Sequence, residues 1–193
     1  MTAQTKTQTA NLDPARLGVY GTGNDRHTIL YKRHLAHPIE KVWQAITEPE
    51  HRAAWFPELT LEHAVGGSAI VNFSGSECPP PEDNPEDINY CKVTVFEPPS
   101  VLEYRGPTEH HRFELTPEGS GCLLTFLATL PADGIYDDDG QTIESRFSVA
   151  CGWHYKLDEM EWSLDGIEFE DEGYAGPIKT ELYFAYRKMS RES

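Results

Sequence analysis

Histidine and tyrosine are the side chains of this sequence best suited to proton exchange, or to polar recognition inside an apolar setting. Three of them, Tyr104, His111 and His154, fall where such a setting is expected. An imidazole titrates near neutrality, so one histidine in a pocket is enough for general-base chemistry. Each of the three could equally make a local hydrogen bond at the rim of a core. His154 stands one helical turn from Asp158 and could pair with it on a helix surface. His110 and His111 are adjacent, but neighbouring strand residues point to opposite faces and cannot share a metal. There is no G-x-S-x-G, P-loop, G-x-G-x-x-G or H-E-x-x-H motif, so nothing points to the catalytic and nucleotide-binding designs those motifs build. The four cysteines (Cys78, Cys91, Cys122, Cys151) lie far apart, with no C-x-x-C and no histidine at metal spacing. That pattern fits reduced core thiols better than a disulfide frame or a zinc site. No metal or cofactor is expected.

The elements that position these groups follow from hydrophobic periodicity. Residues 1–26 are Thr/Gln-rich, then Gly-rich, and read as a flexible arm. Thr28–Ala36 suits a first strand, halted at His37-Pro38. Ile39, Val42, Trp43 and Ile46 make one apolar stripe of a short helix. Thr47 and Glu50 have capping-box spacing for a second short helix carrying Trp55 and Phe56 and ending at Pro57. Leu59–Val65 and Ser68–Ser74 read as a hairpin about Gly66-Gly67. After a Pro-rich acidic loop come strands at Tyr90–Phe96, Val101–Arg105, Glu109–Thr116 and Cys122–Leu130. Tight turns between short strands mean an antiparallel sheet. An acidic loop over 133–140 leads to a long helix from Thr142 to about Asp165, with Ile143, Phe147, Ala150, Trp153, Leu157, Met160 and Leu164 on its apolar face. A closing helix is expected over Ile178–Met189.

Alternation assigns Ala69, Val71 and Phe73, then Cys91, Val93 and Val95, then Leu102 and Tyr104, then His111, Phe113 and Leu115 to the inner face. Cys122–Leu130 is apolar on both faces and leaves its orientation open. By the 100° rule His154 lies about 60° from the centre of the helix stripe, at its margin.

The net charge of −16, with acidic runs at Glu77–Asp87 and Asp158–Glu172, disfavours nucleic acid and anionic membranes as partners. No apolar run approaches the roughly 20 residues of a membrane-spanning helix. The N-terminus lacks the apolar core of a secretion signal, so a cytoplasmic location is expected.

Three separated segments also resemble a known family. "RHLAHPIEKVWQAITEPEHRAAWFP" (33–57), "RFELTPEGSGCLLTF" (112–126) and "GWHYKLDEMEWSLDG" (152–166) are similar to bacterial activator-of-heat-shock-ATPase homologues, a branch of the START-like, polyketide-cyclase-like superfamily. The resemblance covers about residues 28–166. It implies an α+β helix-grip fold: a curved antiparallel sheet of about seven strands around a long C-terminal helix, with two short helices after strand 1. The expected organisation is an arm at 1–26, the helix-grip domain at 27–166, and an acidic linker with a C-terminal helix at 167–193.

That fold implies a cavity between sheet and helix, and a ligand needs on the order of 300 Å3 or more. Its candidate lining is Trp55, Phe56, Phe73, Tyr104, His111, Phe113, His154 and Leu157. The expected function is a START-like protein binding a small hydrophobic or aromatic molecule there. The alternatives are a cyclase- or hydrolase-like enzyme using a cavity histidine, and a co-chaperone-type regulator with a heat-shock ATPase as protein partner.

Overall fold

Period-two alternation bounded by Gly and Pro turns produces one antiparallel sheet that curves around a helix. The computed structural model describes residues 12–23, 26–71, 90–131, 135–138, 141–169 and 177–192. Eight strands form the main sheet: β1 (Val19–Gly23), β2 (Arg26–Leu35), β3 (Leu59–Leu61), β4 (Ser68–Val71), β5 (Tyr90–Glu97), β6 (Val101–Arg105), β7 (His110–Glu118) and β8 (Gly121–Leu130). Their spatial order is β1-β2-β8-β7-β6-β5-β4-β3, with every neighbouring pair antiparallel. Two short helices, α1 (Ile39–Thr47) and α2 (Pro49–Arg52), follow β2. A separate hairpin of β9 (Ile135–Asp138) and β10 (Gln141–Glu144) precedes the long helix α3 (Ser145–Leu164), and α4 (Pro177–Glu192) follows. The sheet, the helix it grips and the two short helices are those expected. No helix is long and apolar enough to cross a membrane.

Several local expectations are corrected. The sheet has eight strands because β1 lies in residues read as a flexible arm, pairing Val19 with Leu30 and Gly21 with Thr28. The glycines there serve close approach: a Cβ on Gly18 would stand 2.6 Å from Ile29 and Tyr31 side-chain atoms. The Thr47–Glu50 capping box does not form. Thr47 lies inside α1 and donates its hydroxyl to the Trp43 carbonyl (2.9 Å), because Pro49 at the first position of α2 holds Glu48 extended as the cap. Helix α2 ends at Arg52, ahead of Trp55 and Phe56. The Gly66-Gly67 hairpin is a wider connection, since the backbones of Gly66 and Gly67 bond to Val93 instead. Residues 142–144, expected in the long helix, belong to β10, which pairs with a strand in the expected acidic loop.

One bulge redirects a face. Between Val93 and Val95 the β5–β6 register shifts, so Val95 opposes Glu103 and Phe96 opposes Leu102. Val95 is thereby removed from the inner row, and Phe96 takes its place against Trp43 (centroids 5.4 Å). The ambiguous β8 is settled by its partners: Phe126 lies opposite both Phe113 and Tyr31, and Ala128 opposite His111. Cys122, Leu124, Phe126 and Ala128 are buried on the inner face.

Helix α3 shows more than one buried stripe. Ser148, Cys151, His154, Tyr155, Asp158 and Glu159 are buried in addition to Phe147, Ala150, Leu157, Met160 and Leu164. The helix lies between the sheet on one side and α4 on the other, and α4 contributes Ile178, Leu182, Tyr183 and Tyr186 to the core. A helix covered on two sides needs no polar face.

Candidate ligand site

The β6–β7 register sets Tyr104 directly opposite His111 on the inner face, which brings their rings to a centroid distance of 5.0 Å. Phe113, two residues further along β7, stacks on Phe126 of β8 at 4.3 Å. The His111 ring lies parallel to Phe126, within 4° at 6.1 Å. Trp153 of α3 closes over both, 4.9 Å from His111 and 4.7 Å from Phe126. From the segment after α2, Phe56 packs edge-on to Trp153 (5.4 Å) and Trp55 packs on Phe56 (5.6 Å). Trp55 is fixed by an indole N–H donated to the Ala45 carbonyl (2.8 Å). Arg52 is locked in turn by donating to the carbonyls of Thr47 and Leu59.

Two polar atoms stand out on this aromatic wall. Tyr104 is fully buried and His111 nearly so, yet neither Tyr104 Oη nor His111 Nδ1 has a hydrogen-bond partner among the described residues. Leaving a buried polar group unpaired costs about 1–3 kcal/mol. Burial drives the Tyr104 phenol well above its ordinary range. Burial, with His110 beside it, pushes the His111 imidazole down to about 3, so it is neutral at physiological pH. Glu109 approaches the other ring nitrogen, Oε2 to Nε2 at 3.6 Å, and burial raises its carboxyl. Cys91 lies nearby on β5, its thiol pushed up to about 12 by burial and by Glu109.

Of the residues singled out in the sequence, Tyr104, His111, Phe113, Phe56 and Trp55 are brought together here. Leu157 is buried on α3 one turn after Trp153. Phe73 lies outside the described residues. His154 does not join the group. Its ring meets Tyr31 edge-on (6.3 Å), and Tyr31 in turn stacks on Phe126, so two rings stand between His154 and His111. His110 turns to the outer face, as adjacent strand positions require, and approaches Glu103 (3.3 Å). There Arg105 and Arg112 also donate to Glu103, holding its carboxyl well below the usual range despite burial. Trp153 and Phe126 were missed as wall residues: the first was placed only on the apolar face of the long helix, and the second lies in a strand apolar on both faces.

His154 is completely buried in a second polar centre that sequence reading did not assemble. Its Nδ1 meets Tyr186 Oη of α4 at 2.8 Å, and its Nε2 lies 3.4 Å from Asp158. The backbone N–H of Gly18 also donates to Tyr186 Oη (2.9 Å). Asp158 pairs with Arg16 at 2.7 Å and with Arg33 at 3.4 Å. Arg33 is an inward, buried residue of β2 that also donates to the Arg16 carbonyl (2.6 Å). Burial works against the Asp158 carboxylate, but His154, Arg33 and Arg16 together bring it below its ordinary range. The expected His154–Asp158 pair therefore exists, inside the protein and not on its surface, and its partners tie β2, α3, α4 and residues 16–18 together.

Solved structures share this architecture. A conserved protein of unknown function from Enterococcus faecalis superposes with a TM-score of 0.66 at 18% identity, covering 91% of this chain and 92% of its own. CalU16 from Micromonospora echinospora gives 0.61 at 18% identity, covering 91% and 97%. A Bacillus halodurans protein solved in solution gives 0.54 at 24% identity over 71% of this chain and 96% of its own. These likenesses speak to the fold. No curated protein is detectably similar in sequence. With residues 36–165 matching its family model, the chain belongs to the Activator of Hsp90 ATPase homolog 1-like family.

Proposed function

We propose that this chain binds a small aromatic molecule between the concave face of its sheet and α3. The observation that carries the reading is the pairing of Tyr104 Oη and His111 Nδ1, both buried and unpartnered among the described residues, on a wall of Phe113, Phe126 and Trp153. A mostly apolar site with a few placed polar groups is the usual form of a small-molecule site. Rings offer stacking and edge contacts to an aromatic guest, worth about 0.5–1.5 kcal/mol each beyond area burial. A guest that hydrogen-bonds the two polar atoms recovers the roughly 1–3 kcal/mol that each forfeits when unpaired. Membership of a START-like fold supports binding at family level, and the aromatic preference rests on the wall itself.

The test is native mass spectrometry of the full chain purified from its own host, followed by identification of any released small molecule. The reading expects a bound species of a few hundred daltons bearing an aromatic ring. Loss of that species on Tyr104→Phe or Trp153→Ala, with the fold intact by circular dichroism, would place it at this wall. A chain that carries nothing, and that retains no member of an aromatic library in dialysis, would rule the reading out.

A further inference from the structure

We infer that the molecule held at this wall presents a hydroxyl group to the Tyr104–His111 pair: its O–H donates to His111 Nδ1, and its oxygen accepts from Tyr104 Oη. The inference rests on the ligand-site reading above and goes further by naming the group recognised.

The argument begins with the tautomer of His111. A neutral imidazole carries one N–H and one lone pair, and the group facing each nitrogen decides which is which. His111 Nε2 faces Glu109 Oε2 at 3.6 Å. The Glu109 side chain is 32% exposed, so its carboxyl keeps contact with water, although burial of the remainder raises it above its ordinary value. In its ionised form Glu109 is an acceptor only, and its charge at 3.6 Å favours the tautomer with the proton on Nε2. The lone pair is then on Nδ1, the atom that is buried without a partner among the described residues.

The neighbouring atom completes the pattern. Tyr104 opposes His111 across β6 and β7, a placement that puts Cβ atoms about 4.5–5.5 Å apart. Its phenolic O–H is likewise buried without a described partner and is held as the neutral, donating form by burial. The pair therefore offers one acceptor and one donor side by side. A ketone or ether satisfies only Tyr104 and leaves Nδ1 bare. A phenolate lacks the proton that Nδ1 needs. A neutral hydroxyl supplies both halves. The parallel rings of His111 and Phe126, with Trp153 inclined to them by 53° and 57°, offer face and edge contacts to a ring directly attached to that hydroxyl, which makes a neutral phenol the class of ligand. Glu109 acts here as a positioning residue, since it sets the imidazole and does not touch the guest.

Equilibrium dialysis of the full chain at pH 7 against 2-naphthol, 2-methoxynaphthalene and naphthalene tests this. The three share one ring system and differ only in the group offered. One satisfied buried acceptor is worth about ten- to a hundredfold in affinity, so 2-naphthol should bind at least about tenfold tighter than either companion. That preference should contract to under about threefold in Glu109→Gln. In Tyr104→Phe the preference over 2-methoxynaphthalene should persist while that over naphthalene shrinks, and naphthalene should bind all three proteins alike. Equal binding of 2-naphthol and 2-methoxynaphthalene to the unaltered chain overturns the hydroxyl inference and leaves the aromatic site standing. Failure of all three to bind overturns both. The tautomer is read without any ligand by 15N NMR of the His111 ring, where the expected signature is a protonated Nε2 and a bare Nδ1. The reverse assignment refutes the inference even if the phenol binds best.

Discussion

Replacing Asp158 with Ala removes the carboxylate that faces Arg16 at 2.7 Å, and Arg33 and His154 at 3.4 Å each. The Arg33 side chain is 1% exposed, so it cannot turn to water for compensation. Breaking a buried pair by deleting one partner costs about 3–5 kcal/mol, because a charge is left uncompensated in the interior. For a chain of this size that corresponds to a fall in Tm of about 6–20 °C. Urea unfolding followed by tryptophan fluorescence measures the loss as a lower midpoint at unchanged slope. Replacing the stranded cation as well, in Asp158→Ala with Arg33→Met, should recover about 1–3 kcal/mol, since the penalty belongs to the charge and not to the shape. The pH dependence has a definite sign. The Asp158 carboxyl is below its ordinary value in the folded protein, so its contribution is complete above the unfolded value near 4 and is lost as pH falls further. The gap between the unaltered chain and Asp158→Ala should therefore narrow on acidification below about pH 4. A loss under about 1 kcal/mol at pH 7, or a double variant no more stable than the single, would refute the account of this centre.

Three further outcomes follow from the same geometry. Tyr104→Phe removes a buried hydroxyl that has no described partner, so the ligand-free variant should be as stable as the parent or up to about 1–3 kcal/mol more stable, measured by thermal unfolding. The His111 imidazole is held down at about 3 when folded against roughly 6.5 when unfolded. The unfolded chain therefore takes up the proton first, and stability that is complete above about pH 6.5 should drain away towards pH 3, a slope that His111→Phe flattens in that range. Gly18→Ala places a Cβ against Ile29 and Tyr31. It should cost about 1–3 kcal/mol and raise amide exchange in β1, whereas unchanged exchange would deny that close approach is the reason for glycine there.

The inner faces of β6 and β7 were legible in the sequence because one side of each strand is buried and the other carries Glu103, Arg105, Arg112 and Glu114, which gives alternation a clear sign. Tyr104, His111 and Phe113 were found for that reason. Val95 was misplaced because a bulge inserts one residue without any local glycine or proline to signal it. The first strand was read as an arm because Gly18 and Gly21 look like flexibility in composition and act as clearance in space. His154, Asp158 and Arg33 escaped for a different reason. Charged residues spaced one turn apart on a helix read as a solvated face, and only the docking of α4 and of residues 16–18 converts that face into an interior. Such a conversion is a property of distant segments and has no period.

The family match begins at residue 36 and ends at 165, whereas β2 ends at Leu35 and α4 begins at Pro177. A fragment trimmed to the matched span would lose the strand that pairs with β8 along Leu35–His27, leaving a central strand as an open, aggregation-prone edge. It would also lose the helix that supplies Tyr186 to His154. The span that matches the family model is therefore narrower than what must fold as a unit in this chain. Homologous exchange of this module between proteins would have to carry both flanks with it.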